Sequence, residues 1–334
     1  MGTQIDKIFA ALEAAGYPKK FQRSLLPSWV TREVISNDDA SLEIASILAK
    51  RLGVKLGPLL SGEHSIEDLK RRDIKYKRSV LNVSKDLSAA TSLAMFVAES
   101  VAYSTHIPYV PFPSDPFALR AELLSVKEHR WVGLRSLLLL CWNHGVPVIY
   151  LDGIDAGIRK MDGMVTLVED RPVIILSKKS KFWAWQLFVL AHEIGHCARN
   201  HIQEGTILVD EDLGEYSGDG EVFDSEEKEA DLFALILLNG RTDPGYFVEG
   251  NGFNAYGLAQ AAIDYGIENR IDPGHIVLNY ARENNAWELG VSALKAMEER
   301  NAHAGAVVNS LMWRCISEDD LPADTIELLR KVAG

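Results

Sequence analysis

The run FWAWQLFVLAHEIGHCARN, Phe182 to Asn200, constrains this chain more than any other segment. It has no proline, its only glycine is Gly195, and its apolar residues are dense enough for a buried helix. A helix turns by about 100° per residue, so His192 and His196 leave the same face about 6 Å apart along the axis. Two imidazoles on one face can meet at one ion. Glu193 points about 100° away from His192, which is wrong for a third ligand but right for holding a water bound to that ion. This is the chemistry of the H-E-x-x-H pattern, two neutral histidine ligands and a glutamate general base. Zinc lowers the pKa of its water towards ~7 and polarises the scissile carbonyl.

Five residues with three specified recur by chance in long chains, so the pattern needs support. A carboxylate on a second helix supplies it. DSEEKEADLFALILL, Asp224 to Leu238, opens with two residues that cap helices, Asp224 and Ser225, has acids in its first turn and continues as an apolar helical run. An H-E-x-x-H helix followed by a helix carrying the third ligand is the gluzincin layout. The rival layout needs a third histidine ten residues after the first, with a glycine between. Here His201 lies nine residues on, Ile202 stands at ten and Arg199 takes the glycine position. Glu226, Glu227 and Glu229 compete for the ligand role. Glu227 and Glu229 point about 200° apart, so they cannot both face one ion. The face of Glu227 continues through Ala230, Asp231 and Ala234. The two alanines allow the close helix approach that a metal–oxygen bond of ~2.0–2.2 Å requires. Asp231, one turn on, can accept the free N–H of a metal-bound histidine.

AHEIGH followed by EKEADLFALILL resembles the ImmA/IrrE family of zinc metallopeptidases. MDGMVTLVEDRPVIILS (Met161 to Ser177) is similar to that family's strand pair before the zinc helix, and AAIDYGIENRIDPGHIVLNYAREN (Ala261 to Asn284) to its C-terminal segment. The resemblance runs from residue 130 to residue 285. One departure, LLNGRTDP where the family often continues L-L-M-P, bears on the wall of the site and not on the ligands. The resemblance implies Zn2+ held by His192, His196 and Glu227, with Glu193 as catalytic base and Asp231 behind a ligand histidine. It also implies that the strand RPVIILS lies along the cleft and pairs with an extended substrate, which makes Ile175 and Leu176 substrate-strand candidates. His275, in the family-like C-terminal segment, is a candidate contact to the oxyanion or substrate, with Tyr265 and Tyr280 as comparable candidates.

WVTREVISNDDASLEIASILAKRLGVKLGPLLSG, Trp29 to Gly62, resembles the second half of an Xre-type helix-turn-helix domain. The first half departs from that pattern, lacking its usual S-x-x-x-L-A helix and carrying Pro18. A small helical bundle kept for protein contacts is the structural alternative. Residues 1–90 carry 15 Lys+Arg against 11 Asp+Glu, and the remainder 20 against 36. The basic end, with KRRDIKYKR (Lys70 to Arg78), can touch phosphates, whereas the acidic remainder argues against wrapping nucleic acid.

The expected fold class is α+β and mostly helical: a gluzincin-like zinc peptidase domain with a small sheet, plus an N-terminal all-α helix-turn-helix-like domain. The expected divisions are residues 1–62 for that N-terminal domain, 63–90 for a linker, 91–254 for the peptidase and 255–334 for a helical C-terminal region. GTILVDEDLGEYSGDGEVFD, between the two site helices, reads as an acidic loop. Cys141, Cys197 and Cys315 have no paired spacing, which suggests a reducing compartment, and Cys197 projects off the zinc face. The charged start is no secretory signal and no apolar run is long enough to cross a membrane, so a cytoplasmic location is expected. His64, His106, His129, His144 and His303 have no partner at ligand spacing, and His201 reads as a helix cap or surface group. The function these features predict is a regulatory zinc endopeptidase that cleaves a protein partner such as an Xre-type transcriptional repressor. The alternative is a DNA-binding regulator or toxin–antitoxin component whose metallopeptidase-like domain senses. DNA, through residues 1–90, and a second copy of the chain are the further candidate partners.

Overall fold

The computed structural model describes residues 3–61, 75–77, 85–152, 162–177, 180, 182–202, 206–210, 225–243, 245–246, 254–298 and 303–334. The chain is α+β and mostly helical, as its patterning predicts. Five helices come first: α1 (Gln4–Ala14), α2 (Lys19–Ser24), α3 (Arg32–Ile35), α4 (Ser41–Leu52) and α5 (Leu56–Ser61). A capping box starts α1, in which the Thr3 hydroxyl accepts the Asp6 N–H and the Asp6 carboxylate accepts the Thr3 N–H. Pro18, which interrupts the helical pattern in the sequence, stands at the N-cap of α2.

These helices share a core with α6 (Lys85–Tyr103) and with the last helix, α15 (Ala323–Ala333). Arg51, buried on α4, donates to the carbonyls of Leu25 and Asp324 and to the Asp324 carboxylate at 3.2 Å. The Ser28 N–H donates to Glu327 at 2.7 Å. The two ends of the chain are therefore tied together by a shared core and by polar bonds. The division expected at residue 90 falls inside α6, because an unbroken run of small and apolar residues carries the helix across it. The stretch expected to be linker contains a strand, β1 (Lys75–Lys77). The rest of the basic run, Lys70 to Arg78, lies outside the described residues, as do His64 and Asp224.

The remaining strands are β2 (Val148–Tyr150), β3 (Gly163–Val168), β4 (Arg171–Leu176) and β5 (Thr206–Asp210), and the sheet order is β1-β5-β3-β4-β2. β3 and β4 form the antiparallel pair read from the sequence, turning at Glu169, which takes a positive φ of 47°. β5 corrects the reading of residues 205–224 as loop throughout. TILVD is rich in β-branched residues and pairs with β3 antiparallel and β1 parallel.

The larger correction concerns RPVIILS. β4 lies inside the sheet, with β3 along its whole length on one side and β2 against Ile174, Ile175 and Leu176 on the other. At those three residues it has no open edge to offer a substrate strand. Ile175 and Leu176 are fully buried core residues and not substrate contacts. Ile175 joins the core on the side of α1, α4 and α6, and Leu176 the core on the side of the site helices. A sheet covered on both faces explains why the strand is apolar throughout instead of alternating.

The second core is closed by α7 (Pro116–Ser125), α8 (Leu134–Asn143), α9 (Trp183–Ala198), α10 (Ser225–Asn239), α11 (Ala255–Asn269), α12 (Pro273–Glu283), α13 (Trp287–Glu298) and α14 (Ala304–Cys315). Every residue of α9 from Gln186 to Ala198 is buried. Among the described residues no helix is long and apolar enough to cross a membrane. The outer edge of β2 is closed by a side chain. Asn309 on α14 accepts the Tyr150 N–H and donates to the Tyr150 carbonyl, each at 2.8 Å, in the manner of a neighbouring strand. Asn309→Leu keeps the size but strands both backbone groups. It should lower unfolding free energy by about 2–3 kcal/mol, read by urea denaturation. An unchanged midpoint would show that water replaces the amide at no cost.

Candidate metal centre

Three elements build the site. α9 supplies His192, Glu193 and His196. α10 supplies Glu227, Glu229 and Asp231, and Gly163 opens β3 beside them. The two helices come together because Gly195 has no side chain: a Cβ there would lie 3.0 Å from both the Cα and the carbonyl oxygen of Ala230. Arg120, buried on α7, holds the far end of α10 by donating to the carbonyls of Leu237 and Leu238 at 3.0 and 2.7 Å. It thereby satisfies groups that a helix end leaves open.

The facing imidazoles carry the geometry. His192 Nε2 and His196 Nε2 lie 3.0 Å apart, and the Glu227 carboxylate oxygens lie 3.3 Å from the first and 3.5 Å from the second. Donors bound tetrahedrally at ~2.0–2.2 Å stand roughly 3.3–3.6 Å apart, so a small cation fits this triangle with slight adjustment. Among the described residues these three form the one group of His, Cys, Asp and Glu side chains able to hold a metal ion. Neither Glu226 nor Glu229 joins it. The Glu227 carboxyl is raised by burial, but the hydrogen bonds and charge of His192 and His196 outweigh this and hold it well below the usual carboxylate range.

Each imidazole has a partner on its other nitrogen. His192 Nδ1 lies 2.9 Å from Asp231 Oδ1, so Nδ1 carries a proton that it donates to the carboxylate, and Nε2 faces the cluster. His196 Nδ1 lies 3.0 Å from His201 Nδ1. His201 is thus neither a surface group nor a simple cap. It is buried just beyond α9, where Asn200 turns the chain through a positive φ of 56°, and its Nε2 lies 3.3 Å from Glu229 Oε2. Burial and the neighbouring His196 pull its pKa down against Glu229 and Glu226. Its distance of five residues from His196 is no helical ligand spacing, which is why the sequence alone did not single it out.

Glu193 is fully buried and sits against Gly163, where a Cβ would collide with Glu193 Oε1. The glycine at the start of β3 makes room for this carboxylate, a role not read from the sequence. His275 does not enter the cluster. It is buried at the start of α12, bonded through Nε2 to the Asn279 amide at 2.9 Å and stacked on Phe188 at 6.3 Å. Phe188 in turn lies 6.5 Å from the His192 ring. Burial, then Arg282 and Arg120, push the His275 pKa down to about 3, so it is a neutral packing residue. Tyr265 packs against Tyr246 and Tyr280 against the core. His106, His129, His144 and His303 make hydrogen bonds away from the cluster, His106 to Asp320, His129 to the Leu123 carbonyl, His144 to the Val110 carbonyl and His303 to the Gly305 N–H. Cys141 and Cys197 are buried free thiols, both pushed up by burial.

No known protein family, curated protein or solved structure matches this chain.

The Gly195–Ala230 approach is open to test. Gly195→Ala adds helix propensity of up to about 1 kcal/mol, yet should lower stability, because overpacking costs about 1–3 kcal/mol. Gly57→Ala on α5 is the matched control, since nothing lies within 4 Å of its Cβ, and it should stabilise. Urea denaturation of both variants checks the pair. Stabilisation by Gly195→Ala would mean that the helices are free to part.

Proposed function

We propose that this chain is a zinc-dependent endopeptidase of the gluzincin kind that regulates by cutting a protein partner. The convergence of His192, His196 and Glu227 beside a buried Glu193 carries the reading. The donor set fits zinc: two neutral imidazole nitrogens and one carboxylate, all on rigid helices, with Asp231 fixing one ring. When bound there, zinc would polarise the scissile carbonyl and make water acidic enough to be deprotonated near neutral pH.

The chain's own residues do the rest. Glu193 accepts one proton from the attacking water, whose oxygen bonds to the carbonyl carbon. As the carbon–nitrogen bond breaks, Glu193 returns that proton to the departing amine. Its burial strengthens both transfers by keeping bulk water away. Asp231 holds His192 in the tautomer whose Nε2 is free to ligate.

The resemblance of residues 29–62 to an Xre-type domain and of residues 130–285 to the ImmA/IrrE family supports a transcriptional repressor as the substrate class. The free thiols favour a reducing, cytoplasmic setting. The DNA-binding regulator is the second reading, with the N-terminal helices as its observation. A purely sensing site has no use for a general base, so Glu193 favours cutting.

Replacing Glu193 by Gln should leave zinc content intact and reduce hydrolysis of a quenched-fluorescence peptide library by roughly 10²–10⁴-fold. His196→Ala and Glu227→Gln should lose metal and activity together, read by metal analysis after dialysis against a chelator. Full proteolysis by the Glu193→Gln protein would overturn the mechanism. Loss of zinc from Glu193→Gln alone would overturn the ligand set.

A further inference from the structure

We infer that the groove between α8 and α14 binds a single-chain amphiphile, an alkyl chain of medium length ending in one carboxylate. Neither helix carries a residue of the metal centre, so this site stands or falls independently of the zinc reading.

Each helix turns one face to the groove. On α8, Arg135, Leu138 and Leu139 stand three and four residues apart, and on α14, Val307, Leu311 and Arg314 repeat that kind of spacing. Leu138 is buried and Val307 and Leu311 are half-buried, so the floor is apolar and continuous with the second core. Leu139 is 46% exposed at the rim, apolar surface that the fold leaves in water. The cavity has a volume of about 320 Å³ and is open to solvent. Small-molecule sites start at roughly 300 Å³. At ~30 Å³ for each water-sized group, such a groove admits roughly ten non-hydrogen atoms.

Charge decides the other half of the ligand. Arg135 and Arg314 both line the groove and are exposed, and among the described residues neither pairs with a carboxylate, unlike Arg51 and Arg330. The chain as a whole is acidic, with a formal net charge of −12, yet no acid lines this groove. Arg135 lies 5.1 Å from the centroid of the Trp183 ring, at the start of α9. That contact occupies the face of the guanidinium and leaves the N–H fork at its edge for an acceptor. A cationic head group is repelled here. A neutral one gains little from the guanidiniums beyond what water already gives them. A phosphate head takes up five of roughly ten atoms and leaves the apolar floor half covered. A carboxylate takes up three, and the chain that fills the remainder is that of octanoate.

Isothermal titration calorimetry of the full chain tests the site, with octanoate as the probe. Wild type should bind one octanoate per chain with micromolar-to-millimolar affinity. Octanol and octyl phosphate should bind about tenfold more weakly or worse, and octylammonium should not bind. Arg135→Gln and Arg314→Gln should each lower octanoate affinity about tenfold, because each removes a hydrogen bond between charged groups. Ser310→Trp, on the exposed rim of α14, fills the groove and should abolish binding. All three positions are exposed, so urea midpoints equal to wild type separate loss of the site from loss of the fold. Failure of wild type to bind octanoate, equal binding of octanol, or wild-type affinity in a folded Ser310→Trp protein overturns the inference. Tighter binding of octyl phosphate overturns the carboxylate assignment. Binding of an amphipathic Leu/Glu helical peptide in place of octanoate, lost in the same variants, would make the groove a protein-docking surface and overturn it as well.

Discussion

The approach of α10 to α9 at Gly195 and Ala230 is the constraint on which the rest of the site depends. Neither helix carries the whole donor set. α9 is so deeply buried that its two histidines have lost water and must find protein partners. α10 brings them as acids, and it can do so only where its backbone reaches the glycine. A Cβ at that point would press on the Ala230 backbone at 3.0 Å and push the two helices apart. The sheet holds the other side of Glu193 by the same device, a glycine where a Cβ would intrude.

The N-terminal helices matter to this arrangement through shared burial. Their core runs under the sheet to α15, so α9 is packed against one face of a layer whose other face is closed by the start and the end of the chain. Arg51 and Glu327 make polar ties along the same seam. The helices of residues 3–61 are therefore part of a core continuous with the sheet. In the proposed regulatory role, this gives the N-terminal region a mechanical route to the sheet that flanks Glu193.

Local chemistry explains which readings reached the structure. His192 and His196 share a face because four residues are little more than one helical turn, and Glu227 and Asp231 repeat the same spacing on α10. The β3–β4 pair was legible from two apolar runs around Glu169 and Asp170. β5 was not, because five strand-forming residues stood at the head of a long acidic stretch. RPVIILS misled for a related reason: a fully apolar strand says that both faces are covered, and says nothing of which strands lie beside it.

The sequence by itself determined what is periodic and local: the helices, the common face of the two histidines and the acids one turn apart on α10. These follow from backbone geometry within a few residues. Tertiary structure alone decided that His201 meets His196, that Glu229 stands behind it, that Gly163 makes room for Glu193, that His275 packs away from the cluster and that β4 lies inside the sheet. Each of those depends on the distance between segments far apart in the chain, which is set by the packing of whole faces and leaves no periodic trace.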